Sequence, residues 1–190
     1  MNSIFRPALT LLIALTVLVG IAYPFAVTGV AQVIFPAQAG GSLITQDGKT
    51  IGSHLIGQPF SDGKYFWSRP SATSPQPDNG LSSGGSNLGP LNSALTDAAK
   101  ARIAALHAAD PTNLAPIPVD LVTASGSGLD PDVSLAAAYY QADRVARVRG
   151  LAPVVVRALI ASHSKRSLFG VIGSPRVNVL ELNLALNALK

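Results

Sequence analysis

The feature that most constrains this chain is a stretch of forty residues, 7–46, that contains no charged side chain. Most of these residues are apolar, and the run is flanked by Arg6 and Asp47. A helix needs about 20 apolar residues to cross the hydrocarbon core of a bilayer. Inside lipid a single segment must be helical to satisfy its own backbone. We therefore predict a short cytoplasmic N-terminus at residues 1–6 and a transmembrane helix at 7–35.

A cleaved secretory signal peptide is the alternative interpretation of this segment. Ala37-Gln38-Ala39 before Gly40 is typical of a cleavage site, but the apolar part of a signal peptide is only about 7–15 residues long. We therefore favour an uncleaved anchor. Because Arg6 is the only Lys or Arg before the helix, the sequence favours a cytoplasmic N-terminus. The resulting prediction is a single-pass protein of the cell inner membrane with a periplasmic domain at 36–190.

Small residues in the predicted helix indicate where another helix could approach it closely. They are Thr16, Gly20, Ala22, Ala26 and Gly29. The competing explanation is that Ala and Gly are common in any membrane helix. Since the segment contains no ionisable side chain, it is not expected to carry ions or protons by itself.

The composition of the remaining part is that of an ordinary folded domain. It holds 13 of the 14 Lys and Arg residues and all 10 Asp and Glu residues, and its length of about 145 residues suffices for one core. No basic run is interleaved with aromatic residues, so a nucleic-acid partner is not expected. The absence of cysteine excludes disulfides, thiol catalysis and cysteine-based zinc sites.

Local patterns predict an α+β fold with strands early and helices later. Asp47-Gly48 predicts a type I′ hairpin within residues 41–56. Tyr65-Phe66-Trp67 reads as an aromatic strand, and a loop at 68–93 follows, in which 18 of 26 residues are Ser, Pro, Gly or Asn. Loops of this length are usually functional or disordered.

Capping signals then predict four helices in the second half of the chain. The first begins near Asn92 or Ser93 and ends at Asp110-Pro111. A strand-like run at Val119–Val122 precedes the second, which Ser134 caps and Gly150 ends. Pro153 opens the third, which extends to about Ser162. Asn178 and Glu181 resemble a capping box for the last helix, in which Asn183 and Asn187 are predicted to face solvent.

The residues that could carry chemistry are dispersed. His54, His107 and His163 lie in different predicted elements, so no metal site is expected. A Ser–His–Asp arrangement with Ser125 stays open, because triads assemble from distant positions. A membrane-tethered periplasmic hydrolase therefore remains an alternative, as does a free periplasmic binding module. The turn at 125–130 could present amides to an anion, but it lacks the P-loop lysine and is more typical of a tight turn.

Several motifs, taken in order, carry a resemblance to one known family. They are AYP at 22–24, LIGQ at 55–58, YFWSRPSA at 65–72, SGGSNLGP at 83–90, VDLVTASGSGLDP at 119–131, RVA at 144–146 and PRVNVL at 175–180. On these residues the chain resembles the C subunit of the Kdp-type potassium-transporting P-type ATPase. One departure is Ser174, where that family usually has Glu.

The resemblance implies an accessory, non-catalytic subunit of a high-affinity potassium uptake complex. Its partners would be a potassium-channel-like subunit, a P-type ATPase subunit and membrane lipid. The family is described as a catalytic chaperone that raises the ATP affinity of the ATPase subunit, so ATP is implied through the complex and no cofactor is expected to bind this chain stably. The candidate functional or docking residues are Arg69, Asn87, Ser125, Gly126, Ser127, Gly128, Asp130 and Arg176. Turn and capping roles are the competing explanation for each.

Overall fold

The structure is a computed structural model that describes residues 2–167 and 170–189. The described chain divides into two compact units, one ending at Ile44 and the other beginning at Thr45. The first is dominated by a helical segment, of which Ile4–Ile34 is long and apolar enough to span a membrane. The second mixes helices and short strands, as the α+β prediction required.

The apolar segment consists of two α-helices joined by one wide turn. Helix α1 spans Asn2–Val17, a π-helical turn spans Leu18–Ala22, and helix α2 spans Tyr23–Ile34. Pro24 explains the wide turn, because its ring would clash with the carbonyl four residues earlier in a regular helix. The i→i−5 bond from the Tyr23 N–H to the Leu18 carbonyl avoids that geometry. Helix α2 ends before Phe35, and Pro36–Ala39 forms the short helix α3.

The hairpin prediction is confirmed. Strands β1 (Leu43–Gln46) and β2 (Lys49–Ser53) form a two-stranded sheet. Asp47 and Gly48 both have positive φ, 50° and 75°, as a type I′ turn requires.

The four predicted helices are also confirmed, with bounds that follow their caps. Helix α4 spans Ser93–Ala109 with Asn92 as its N-cap, and helix α5 spans Leu135–Arg149 between Ser134 and a left-handed Gly150. Helices α6 (Pro153–His163) and α7 (Val179–Ala188) complete the set. Asn178 caps α7, but the Glu181 carboxylate contacts His54 and Lys165, so the capping box is only half formed.

The main sheet lies late in the chain, which corrects the expected order of strands before helices. It is antiparallel with the order β3-β5-β4, formed by Asp132–Ser134, Arg176–Asn178 and Ser164–Lys165. The core lies between this sheet and helices α5, α6 and α7. Its fully buried members include Phe66, Ala138, Val145, Ile160, Val177, Leu182 and Leu186.

Two strand predictions were wrong. Val119–Leu121 forms a 3₁₀ turn and not a strand. Tyr65-Phe66-Trp67 is not a strand either, although Phe66 is fully buried as expected of a core residue. Phe66 and Leu121 are buried, as the apolar pattern indicates, but Val119 is 69% exposed, and burial does not require a strand.

The backbone of Phe66 and Trp67 is satisfied by side chains from two helices. Asn183 accepts from the Phe66 N–H at 2.9 Å and donates to the Phe66 carbonyl at 3.0 Å. Gln141 does the same for Trp67, at 2.8 and 3.1 Å. Asn183 was predicted to face solvent, but it is 1% exposed, because its amide replaces the neighbouring strand that this segment lacks.

Candidate functional site

Two loops that are distant in sequence meet at the surface of the domain and contain most of the predicted site residues. One is the long loop at 68–92, and the other is the glycine-rich turn at 125–128. The Gly84 N–H donates to the Ser127 carbonyl at 2.8 Å, and the Ser125 N–H donates to the Pro70 carbonyl at 3.2 Å. The long loop is therefore held to the turn at two separated points.

Ser71 is the organising residue of this junction. Its hydroxyl donates to the Gly128 carbonyl at 2.7 Å and accepts from the Asp78 N–H at 2.9 Å and the Thr73 N–H at 3.2 Å. Sequence reasoning did not select Ser71 as a site residue, although it lies in the YFWSRPSA motif. In the sequence it is only a Ser that follows Arg69-Pro70, and nothing in that local pattern indicates a hydrogen-bond partner 57 positions away.

Close backbone contact requires glycine at two positions of this junction, one in the turn and one in the long loop. Gly128 has φ +69°, and a Cβ there would lie 2.6 Å from the Gly84 carbonyl oxygen. A Cβ on Gly85 would lie 2.9 Å from the Gly126 carbonyl oxygen. Gly126 itself faces open space, since nothing lies within 4 Å of a Cβ built there.

A cluster of charged residues lies beside the turn. Arg69 donates to Asp130 at 2.9 Å, and Arg176 donates to Asp132 at 2.7 Å. The other oxygen of Asp130 accepts from the Asp132 N–H at 3.0 Å. Arg176 reaches this place because β5 pairs with β3, which brings it opposite Ser134. The cluster thus joins the long loop to the main sheet.

An open cavity of about 470 Å³ adjoins these charges. Arg69, Asp120, Asp130, Asp132 and Arg176 line it together with apolar residues that include Val119. Among the described residues, no partner reaches two of its buried polar atoms, the Nε of Arg69 and the Oδ1 of Asp132. This cavity is hereafter called the charged cavity. Its charged residues of both signs suit contact with another polar surface.

The structure therefore brings together seven of the eight predicted residues, whereas none of the described hydrogen bonds or ion pairs joins Asn87 to them. Arg69, Asp130 and Arg176 line the charged cavity, while residues 125–128 form the adjoining turn. Asn87 is exposed and adopts a left-handed φ of +51°, which fits a turn residue. Whether these residues contact a partner remains a prediction.

The structure gives no support to a nucleophilic role for Ser125. Ser125 is only 4% exposed, and none of the described hydrogen bonds joins it to a histidine. His54 lies 2.6 Å from Glu181, and the Nδ1 of His163 lies 3.0 Å from the Leu159 carbonyl. Within the described residues, no group of three His, Asp or Glu side chains is placed to hold a metal ion.

The five small residues of the apolar segment lie on both sides of the wide turn. Thr16 is in α1, Gly20 and Ala22 are in the π-helical turn, and Ala26 and Gly29 are in α2. All are exposed, and nothing lies within 4 Å of a Cβ built on Gly29. The segment thus offers shallow positions where a second helix could pack, as the sequence predicts.

Comparison with known proteins agrees with the resemblance found in the sequence. The profile of the family KdpC (K⁺-transporting ATPase, c chain) matches residues 5–188. A protein of Variovorax paradoxus is 65% identical over 188 residues, which cover 99% of this chain and 97% of the relative. A protein of Polaromonas naphthalenivorans is 64% identical, with 100% and 97% covered. One of Dechloromonas aromatica is 60% identical, with 100% and 99% covered. All three are named potassium-transporting ATPase KdpC subunit.

Proposed function

Because this chain belongs to the KdpC family of K⁺-transporting ATPase c chains, we propose that it is an accessory, non-catalytic subunit needed to assemble a high-affinity potassium uptake complex. The observation that carries the proposal is the match along nearly the whole length, which includes both the apolar helix and the folded domain. Both parts of the chain therefore belong to the function, one as an anchor and one as a docking domain.

The helix anchors the chain in the cell inner membrane, with the N-terminus in the cytoplasm and the domain outside. Support comes from Ile4–Ile34, whose most apolar window has no buried residue, so its side chains are available to lipid or to another helix. Arg6 on the N-terminal side favours this orientation. The small residues from Thr16 to Gly29 are the proposed packing positions for a helix of a partner subunit.

The domain docks on the channel-like and ATP-hydrolysing subunits of the same complex through its loop face, which is the surface formed by the long loop and the turn at 125–128. The long loop and the turn at 125–128 are fixed to each other by backbone hydrogen bonds. A loop fixed in this way loses little conformational entropy on binding, which favours its use as a docking surface. Charged groups at an interface fix the orientation of docking more than they raise the affinity. Here those charges are supplied by Arg69, Asp130 and Arg176.

The effect on ATP is proposed to pass through the ATPase subunit. ATP is cytoplasmic, whereas the proposed orientation places the domain on the other side of the membrane. The chain would then raise the ATP affinity by binding one conformation of its partner better than another. Such a ligand shifts an equilibrium only by its differential affinity for the two states.

Co-purification tests this function directly. An affinity tag on the full chain should recover both larger subunits from detergent-solubilised membranes. A variant with Ala26→Leu and Gly29→Leu fills the shallow positions of the helix and should recover less of them. Val27→Leu, a similar change at an exposed position outside this set, serves as the control. Recovery of neither subunit by the wild-type chain would refute the proposed function.

A further inference from the structure

A second cavity, of about 300 Å³, shares Arg69 with the charged cavity as a lining residue. Its walls include Pro59, Phe60, Trp67, Pro70 and Pro77. Its polar lining includes Asp78, from the long loop, and Arg102, from helix α4. This cavity is hereafter called the proline-lined cavity. Rigid apolar walls with a few convergent polar groups are characteristic of binding sites.

Asp78 is held in place by the backbone around it. Its φ is +54°, and its N–H donates to the Ser71 hydroxyl at 2.9 Å. A Cβ on Gly57 would lie 2.7 Å from its Oδ1, so only glycine leaves room for the carboxylate. Among the described residues, no hydrogen-bond donor or cation pairs with that carboxylate. A fixed and partly buried acceptor is thus left unused.

Arg102 has donors to spare on the same cavity. One guanidinium nitrogen donates to the Val122 carbonyl at 2.8 Å, and this is its one hydrogen bond within the part of the chain that the structure describes. A guanidinium carries five N–H donors. Burial raises the pKa of Asp78 to about 6 and lowers the pKa of Arg102. Both groups are therefore partly desolvated while hydrogen-bonding capacity is left unused, which costs free energy until a partner supplies further hydrogen bonds.

The charges of the cavity select the kind of occupant. Arg69 and Arg102 oppose a cation, and the unpaired carboxylate of Asp78 opposes an anion. A neutral group that offers both a donor and an acceptor satisfies both sides, and a peptide unit is such a group. Proline and aromatic walls suit one apolar side chain attached to that peptide.

We propose that the proline-lined cavity receives an extended segment of a partner subunit. One apolar side chain of that segment lies between the prolines, the backbone N–H of the segment donates to Asp78, and its backbone carbonyl accepts from Arg102. This inference rests on the proposed function, because it assigns the place where the docked complex engages the domain. It adds a defined pocket to the loop face.

Single cysteines test the occupancy, because the chain has no cysteine of its own. Pro77→Cys places a thiol at the exposed rim of the cavity, and Asp97→Cys places one on the exposed face of α4 as a control. We expect maleimide to react about tenfold more slowly with Pro77→Cys in the co-purified complex than in the full chain alone, since a docked segment excludes solvent. The Asp97→Cys rate should change less than about twofold in the same comparison.

Two substitutions test the hydrogen bonds. Asp78→Asn keeps the shape, and asparagine tolerates left-handed φ, so the fold is retained. Asp78→Asn and Arg102→Gln should each lower the amount of partner retained after dilution about tenfold, because each replaces a charged group by a neutral one and so weakens a charge-assisted hydrogen bond. Asp97→Asn and Lys100→Gln, on the same helix, should retain wild-type recovery.

The outcomes separate the two proposals. If the wild-type chain recovers no partner subunit, the proposed function fails and this inference fails with it. If both subunits are recovered but Pro77→Cys reacts equally fast in the complex and alone, only the cavity inference is overturned. Protection that appears in the purified chain alone and grows with its concentration would identify a second copy as the occupant, which also overturns it.

Discussion

Gly128 is the residue at which the loop face is most sensitive to a single methyl group. Alanine there would hold a positive φ and would place its Cβ 2.6 Å from the Gly84 carbonyl oxygen. We expect Gly128→Ala to lower the free energy of unfolding by about 2–4 kcal/mol. Gly126→Ala, two positions away and facing open space, should change it by less than about 1 kcal/mol. Chemical denaturation of the full chain in detergent measures both, and equal effects would contradict this packing.

Asp78 should make the stability of the domain depend on pH in a predictable direction. Burial raises its pKa from 3.8 to about 6. Because the folded pKa exceeds the unfolded one, the folded state binds more protons between these values. Ionisation therefore destabilises the fold increasingly as the pH rises from about 3.8 through 6.

Asp78→Asn removes this cost. The variant should be about as stable as the wild type near pH 4 and about 2 kcal/mol more stable near pH 7.5, after allowance for partial exposure. Denaturation at the two pH values measures the difference, and Asp97→Asn controls for the loss of one surface charge. A gain of the same size at both pH values would contradict a buried, ionising carboxyl group.

The position of each element was predictable where its signal is local. Asn92, Ser134 and Asn178 each accept a backbone N–H in the first turn of their helices. The type I′ hairpin depends on two adjacent residues in the same way. The glycine-rich turn was likewise recognised as a turn, but its attachment to the long loop, through residues more than 40 positions apart, had no local signal.

The segment at 65–67 shows where prediction from sequence failed. Instead of pairing with a strand, its backbone bonds to the side chains of Gln141 and Asn183, which lie 74 and 117 positions away. No local pattern distinguishes a buried amide that replaces a strand from a polar residue on a solvated helix face. Arg144, in helix α5, is likewise fully buried and donates to the carbonyls of Gly63 and Tyr65, which no local pattern indicates.

Asn183→Ala should therefore destabilise the domain more than most substitutions of a polar residue do. It would leave the N–H and the carbonyl of Phe66 without partners inside the core, at a cost of about 2–4 kcal/mol. Asn187→Ala removes an exposed amide one turn later in the same helix and should cost less than about 1 kcal/mol. Thermal unfolding compares the two variants. If both lowered the midpoint equally, the side chains would not be acting as a replacement strand.

At the scale of the whole molecule, the sequence alone indicated a membrane anchor and, through its motifs, the family. It could not indicate the charged cavity or the proline-lined cavity, because each is assembled from loops that approach only in the folded chain. Arg69 illustrates the difference, since it was selected from a motif, whereas its partner Asp130 and its contact with both cavities come from tertiary structure.

The orientation across the membrane has its own test. In the full chain, Asp97→Cys should react with a membrane-impermeant maleimide added to cells with a permeabilised outer membrane. Asn2→Cys should react only after the cells are lysed. The reverse pattern would place the domain in the cytoplasm, where it could contact ATP directly.

The central claim is that a potassium pump needs this chain although the chain performs no chemistry of its own. The most direct measurement is potassium-stimulated ATP hydrolysis by the two larger subunits, purified from membranes with and without the full chain. We predict that without the chain the ATP concentration for half-maximal activity rises, or that the subunits no longer purify together. Intact assembly with the same activity at every ATP concentration in both preparations would contradict the claim.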